Sequence, residues 1–480
     1  MEAGLPDNLP RLAPSRPRPR TGIVHLGLGA FFRAHGAVYI AEAMERAGGD
    51  WGIIGVSLKS PATRDALAPQ EGAYTAVELA PEGTRPRVIE AVTEVLVAPE
   101  DPEAVLARMA DPAVRIVTLT VTEKGYCHHP ATGAPDTDHP DIAHDLAHDL
   151  PKSAPGYLVR ALQRRRAAGG RPFTVLTCDN LPGNGALVKG IALDLARRID
   201  PDLADWIAAE GRFPATMVDR IVPATKADDI ETVAGLTGRD DRAPVMHEPF
   251  RQWVIEDSFV DDARPALEKV GAELVQDVTA FEHMKLRMLN GTHSSLAYLG
   301  YLAGHETIAA CAADPVFAAY VKHLWAEEII PVLTPPENTD LADYARALFR
   351  RYENPAIRHR TWQIAMDGSQ KLPQRILGTL AENRKAGREA PGLCLAVAAW
   401  MHYVGGIGLD GQPIDVRDPL ADRLRGLCDG AAGTARVEAL LGVESIFPRD
   451  FARDHAAPLR DAYARLTSLG AREAVRALLP

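Results

Sequence analysis

The densest polar run on an apolar background is Phe281-Glu282-His283-Met284-Lys285-Leu286-Arg287-Met288-Leu289-Asn290-Gly291-Thr292-His293. Wound at 3.6 residues per turn, it brings Glu282, Lys285, Asn290 and His293 within about 140° of one another. One helix face then carries a carboxylate, an amine, an amide and an imidazole. Oxidation of a secondary alcohol asks for such a set: a base for the hydroxyl proton, donors for the developing alkoxide, and a polar group that orients the substrate. A lysine serves as that base when burial lowers its pKa towards working pH. The same four side chains could instead cap and salt-bridge a helix linking two domains, and spacing alone leaves both readings open.

A second chemical signal lies near the N-terminus. Ile23-Val24-His25-Leu26-Gly27-Leu28-Gly29 reads as a buried strand ending in a glycine turn, and Ala30-Phe31-Phe32-Arg33-Ala34-His35 opens a helix behind it. Gly27 permits a tight turn, and Gly29 lets the backbone approach a pyrophosphate seated on the helix N-terminus. Gly27, Gly29, Ala30, Phe31, Phe32 and Arg33 are therefore the candidate dinucleotide contacts, with Arg33 offered to phosphate. Phe32 stands where the third glycine of the usual pattern falls. The residues after the second strand, Val56-Ser57-Leu58-Lys59-Ser60, lack the carboxylate that grips a ribose 2′-hydroxyl. Lys59 and Arg64 even suit a 2′-phosphate, so NAD and NADP both stay open. Asn180, in Cys178-Asp179-Asn180-Leu181-Pro182-Gly183, and Thr122-Glu123-Lys124-Gly125-Tyr126 each follow a strand end, where ligands of open α/β sheets gather. His128, His129, His139, His144 and His148 crowd one loop, and His144 with His148 share a helical spacing that zinc uses. The loop is rich in Asp-His and His-Pro steps and has no cysteine pair, so the expectation is an exposed polar loop and no metal.

These residues need elements to position them. Up to about residue 275, short β-branched runs at 23–28, 51–58, 114–121, 173–177 and 215–222 alternate with helical patterns, as in a doubly wound parallel sheet. Segments 81–87 and 128–141 read as loops, being crowded with proline, glycine and aspartate. From about residue 277 the pattern is helical: Asn338, Thr339 and Asp340 offer N-caps to the run 341–349, and Leu459, Ala462, Tyr463 and Leu466 recur at helical spacing. The expected organisation is an α/β Rossmann-like domain at 21–276, then a mainly α-helical domain at 277–480, after a flexible arm at 1–20.

Composition narrows the classes. The 480 residues are 46% hydrophobic and 24% charged, a balance that suits a folded protein with a sizeable core. A formal net charge of −11 argues against a nucleic-acid partner, which needs a concentrated positive surface. No apolar run reaches the ~18 residues of a membrane span. The proline- and arginine-rich start is followed by no apolar stretch of secretory type. Five scattered cysteines suit free thiols in a reducing cytoplasm. Monomer and dimer are equally compatible with the chain.

Taken together, the motifs resemble one family, the polyol-specific long-chain dehydrogenases. The resemblance runs from about Ile23 to the C-terminal helix. It rests on Ile23 to His35, Thr122-Glu123-Lys124-Gly125-Tyr126-Cys127, Cys178-Asp179-Asn180, Met217-Val218-Asp219-Arg220-Ile221, Glu248-Pro249-Phe250, Lys285 to His293, and Asp367-Gly368-Ser369-Gln370-Lys371. It implies Lys285 as general base, Asn180 and Asn290 as a pair polarising the substrate oxygen, His293 as a positioning group and Glu282 on the proton path, with no metal. Lys124 with Gly125-Tyr126-Cys127, and Arg358-His359-Arg360-Thr361-Trp362-Gln363, resemble the branch that interconverts D-fructuronate and D-mannonate, usually with NAD. Lys124, Arg358 or Arg360 would then meet the substrate carboxylate, with Lys371 a further substrate-binding candidate. A mannitol or arabinitol dehydrogenase is the alternative within the family, and a non-catalytic dinucleotide-binding sensor the alternative outside it.

Overall fold

A computed structural model describes residues 9–129 and 132–479. The chain divides into two compact units, Met1–Thr279 and Ala280–Pro480. Among the described residues, eleven strands lie in the first: β1 Thr21–Leu26, β2 Gly52–Ser57, β3 Tyr74–Ala80, β4 Gly83–Ile89, β5 Val92–Val97, β6 Ile116–Leu119, β7 Thr174–Thr177, β8 Thr216–Asp219, β9 Val245–His247, β10 Gln252–Glu256 and β11 Glu273–Val275. Five of them form a parallel sheet in the order β5-β2-β1-β6-β7. Alternate residues of these strands face opposite layers. Val24, Leu26, Val117 and Leu119 pack with Leu158 and Ile191, while Ile23, Ile53 and Ile116 pack with Phe32 and Tyr39. Both faces are thus covered, which is why the strands read as continuous apolar runs.

Three expectations meet a different structure. The run at 215–222 contributes β8, which leaves the parallel sheet and pairs antiparallel with β10 in a separate order β11-β10-β8. Segment 81–87, read as a loop, falls largely within β4, the exposed edge of a sheet β4-β3-β9. Its Pro86 sits opposite Val77 on that edge, a place where a strand tolerates proline. Residues 9–20, expected as part of a flexible arm, lie along the unit. Leu12 is buried, its amide donates to the Asp240 carbonyl at 3.0 Å, and Ser15 donates to Glu90. Residues 1–8 of that arm fall outside the described residues.

In the second unit, the most buried helix is Pro391–Tyr403, and the long helix Arg449–Leu469 belongs to the same unit, with Leu459 and Leu466 buried. Asp340 caps the helix Leu341–Tyr352 by accepting the amides of Ala342 and Asp343 at 2.7 and 2.9 Å. Among the described residues no helix is long and apolar enough to cross a membrane.

The turn after β1 is the tightest point of the first unit. Gly27 has φ +89°, and a Cβ built there would stand 2.2 Å from the Thr120 carbonyl oxygen. Both the left-handed backbone and the contact exclude a side chain. Gly27→Ala should therefore cost about 2–4 kcal/mol, read by calorimetry as a lowered melting temperature of the unit that contains it.

Candidate active site

The turn after β1 leaves its backbone bare of side chains at Gly27 and Gly29. His25 points back under it, neutral because burial pulls its pKa down to about 3. Its ring bonds Thr118 Oγ1 at 2.7 Å and Thr120 Oγ1 at 2.9 Å, and stacks on Phe32 with centroids 3.4 Å apart. Gly29 precedes the helix Ala30–Ala34, whose first amides have no acceptor within the helix. The space where its Cβ would sit meets nothing closer than the Gly27 carbonyl at 3.7 Å. A side chain would fill that space; without one, Gly27, Gly29, Ala30 and Phe31 fit a dinucleotide phosphate approached by backbone. Phe32 and Arg33, expected as contacts, are turned inward. Phe32 is fully buried under its stack with His25. Arg33 donates to the Ala243 carbonyl at 2.6 Å and lies over the Tyr74 ring, so its charge anchors the helix start to the rest of the unit.

A single carboxylate organises the neighbouring loops. Asp179 accepts the amides of Val121 and Thr122, each at 2.9 Å, and the Tyr126 hydroxyl at 2.7 Å. Burial pushes its carboxyl pKa up, and these three donors oppose that rise. The bonds hold Thr122 at φ +63°, unusual for a β-branched residue, and fix the segments after β6 and β7 to each other. Asn180 follows on the same loop, exposed, and Lys124 is exposed on the first turn after Thr122.

In the second unit the polar run departs from a regular helix. An α-helical stretch, Thr279–Met284, passes into a π-helical one, Lys285–Gly291, before α-helix resumes at Thr292–Leu302. Such wide turns pair residues five apart. Lys285 and Asn290, which regular winding sets 140° apart, therefore lie one above the other. Lys285, Asn290 and His293 are all buried, with Glu282 half-buried a turn earlier. The carbonyls along the wide turn find outside donors: Trp325 Nε1 bonds Met288 O at 2.9 Å, and the Tyr352 hydroxyl bonds Leu289 O at 3.1 Å. Gly291 closes the segment where a Cβ would stand 2.6 Å from the Arg375 carbonyl.

His293 sits in a group that sequence reasoning did not assemble. Its ring lies 4.6 Å from Tyr352 and 5.2 Å from His359. Its Nε2 is buried with no hydrogen-bond partner among the described residues. Burial first, then the charges of Arg351 and Arg375 and the His359 ring, hold its pKa well below the usual value. His359 is pulled to about 4 by burial, Lys371, Arg375 and Arg351. Lys371 itself falls to about 8, chiefly through burial and then through Arg375. It donates to the Met366 carbonyl at 2.7 Å. Its place follows from the Asp367–Lys371 motif: Asp367 turns at φ +54°, and Gly368 packs so closely on Trp400 and Tyr298 that a Cβ would meet both at 2.4 Å. Arg358 and Arg360, expected near a substrate carboxylate, are exposed instead. Arg360 faces Glu306 at 3.5 Å, beside a different cavity. In this extended stretch alternate residues point opposite ways, so His359, not its neighbours, is the one turned inward. That alternation was the available signal.

Two family models match the chain: the mannitol dehydrogenase Rossmann domain over residues 21–269 and the mannitol dehydrogenase C-terminal domain over residues 277–465. The chain belongs to the mannitol dehydrogenase family. Its similarity to individual family members extends end to end. It is 46% identical to the D-mannonate oxidoreductase of Escherichia coli K12, over 98% of this chain and 99% of that one. It is 41% identical to a mannitol 2-dehydrogenase of Phaeosphaeria nodorum, over 95% and 81%. Among solved structures, mannitol 2-dehydrogenase of Pseudomonas fluorescens, in ternary complex with NAD and D-mannitol, superposes with TM-score 0.85 at 39% identity, covering 96% of this chain and 94% of that one. A substrate-free D-sorbitol dehydrogenase superposes with TM-score 0.88 at 34% identity, covering 100% and 99%. As a member of the mannitol dehydrogenase family, the chain is an oxidoreductase.

The buried imidazoles give a direct check. His359, held at about 4, and His293, held well below its usual value, stay neutral above pH 5. Histidine ring NMR spectra between pH 5 and 9 should show no titration of either.

Proposed function

We propose that this chain interconverts D-mannonate and D-fructuronate with NAD. The observation that carries the reading is the gathering of Arg351, Lys371 and Arg375 about the His293–His359 pair, whose depressed pKa values register those charges. A polyol hydroxyl accepts only an ordinary hydrogen bond from such groups, whereas a uronate carboxylate accepts a stronger, charge-assisted one. The full-length similarity to a D-mannonate oxidoreductase supports the same substrate class. The open backbone at Gly27 and Gly29, together with the NAD held by the Pseudomonas fluorescens relative, supports the cofactor. The five buried free thiols suit work in the reducing cytoplasm.

The chemistry follows from the chain's own residues. Lys285 Nζ takes the proton of the substrate hydroxyl as the general base. Asn290, stacked one wide turn away, donates to the oxygen as it gains charge, and Asn180 supplies a second donor. His293, neutral, orients the alcohol by hydrogen bonding instead of competing for its proton. Glu282 leads the proton from Lys285 towards water. When bound, NAD supplies the hydride acceptor, so the substrate carbon loses a hydride as its C–O bond becomes a carbonyl. In the reverse direction Lys285, protonated, returns the proton to the new alkoxide.

Three measurements test this. Initial rates with D-mannonate, D-mannitol and D-arabinitol, each with NAD and NADP, should favour D-mannonate with NAD; preference for a neutral polyol would overturn the substrate assignment. Lys285→Ala should lower turnover by roughly 10²–10⁴-fold while NADH binding, followed by fluorescence, survives. Lys371 loses its charge as pH rises through about 8, so KM for D-mannonate should climb above that pH, and Lys371→Met should remove the climb while raising KM at neutral pH by about tenfold.

A further inference from the structure

The first unit contains a cavity of about 530 Å³ at the carboxyl ends of β2, β5 and β6, with Lys59, Lys124, Cys127, His139 and Asp141 in its wall. The Cys127 thiol, a ring nitrogen of His139 and a carboxylate oxygen of Asp141 lie within 4.8 Å of one another. None of the three belongs to the catalytic set around Lys285. The spacing that first drew attention in this loop, His144 with His148, produces only a stacked pair of rings 4.2 Å apart. The mixed sulfur, nitrogen and oxygen set is a different arrangement, brought together by the fold.

Backbone bonds, with the His139 ring capping the helix, hold these side chains close. The Asp136 amide donates to the Cys127 carbonyl at 2.9 Å, and the His139 amide donates to Asp136 O at 3.0 Å. A bridge between His128 and Pro135 closes the same loop. His139 and Asp141 then flank Pro140 at the start of the helix Pro140–Ala147. Cys127 stands at φ +49° at the end of the turn that Asp179 anchors through Tyr126. The donor atoms are thus presented from two fixed backbone positions towards one cavity wall.

We propose that Cys127, His139 and Asp141 bind zinc or a similar borderline divalent ion. Thiolate with imidazole selects zinc and its transition-metal neighbours over magnesium or calcium, which require several oxygen ligands. Tetrahedral zinc with bonds of about 2.0–2.3 Å sets its ligands roughly 3.5 Å apart, so the donors close by about an ångström on binding. The fourth position faces the cavity and takes water. On binding, the Cys127 S–H bond breaks, its proton leaves to solvent and the sulfur lone pair forms the metal bond; no electron is transferred. His139 now uses Nδ1 to accept the Asp141 amide at 3.2 Å. Coordination through Nε2 moves the ring proton to Nδ1 and gives up that long bond.

The test uses the reduced, metal-stripped full-length protein and Co²⁺ as probe. One equivalent should raise a thiolate-to-cobalt charge-transfer band in the near ultraviolet, and Zn²⁺ should displace it. Cys127→Ser should abolish the band, and Asp141→Asn, altered on the helix's first turn, should weaken Co²⁺ binding tenfold or more, with circular dichroism confirming both folds. Should the serine variant not fold, Asp141→Asn decides alone. No band in the wild type, a band that survives in Cys127→Ser, or unchanged affinity in Asp141→Asn would each overturn the proposal and leave the three side chains as parts of a loop and a helix cap. Because the readout is spectral, it stands whichever sugar acid or polyol the enzyme oxidises.

Discussion

The widened helical turn at Lys285–Gly291 is the constraint on which the second unit's arrangement depends. An α-helix would set Lys285 and Asn290 about 140° apart, at the two margins of one face; five-residue pairing draws them together. Widening disturbs the regular backbone ladder, and buried carbonyls must find donors elsewhere. Trp325 and Tyr352 provide them, so two large aromatic side chains are recruited to support a backbone irregularity. Tyr352 then stands against the His293 ring. The irregular turn, its supports and the buried imidazole are one construction, and Gly291 is the residue whose missing side chain lets the segment Pro373–Leu377 close over it.

Charge is arranged by burial in both units, with opposite signs. In the first, one carboxylate, Asp179, is surrounded by donors from two loops and fixes the residues on either side of it. In the second, three cationic side chains surround two imidazoles that remain neutral. A neutral ring among cations keeps its hydrogen-bonding nitrogens without adding to the repulsion, which is the state in which an imidazole orients an alcohol. Lys371, whose amine sits near the middle of the accessible pH range, is the adjustable member of that group.

Much of this was legible in the residues. Four of the five parallel strands, the glycine turn and the polar run from Phe281 to His293 announce themselves because their patterns are local, and the Asp340 cap is a signal of the same kind. The π-helical turn was not legible, since nothing in the residue types distinguishes five-residue from four-residue pairing; its supports, Trp325 and Tyr352, are 37 and 63 positions from the carbonyls they bond. His359 was hidden between two arginines that advertise charge more loudly, and only the direction of the extended chain turns it inward. Phe32 and Arg33 occupy a phosphate-binding pattern by position, but their side chains answer to the core and to Ala243. Residues that act through distant partners are the ones a linear pattern conceals.

The strand β4 shows how a misleading local pattern serves a purpose of its own. Gly83, Thr84, Arg85 and Pro86 are all exposed along the edge of their sheet, and an edge strand offers bare amides and carbonyls to any passing chain. Proline removes one of the amides such a chain would need, and Arg85 and Arg87, paired to Glu78, Glu42 and Glu45, place fixed charge along the rim. The composition that makes this stretch look like a loop is the composition that keeps the sheet from growing sideways. An incoming strand thus meets proline and fixed charge where it would need bare backbone.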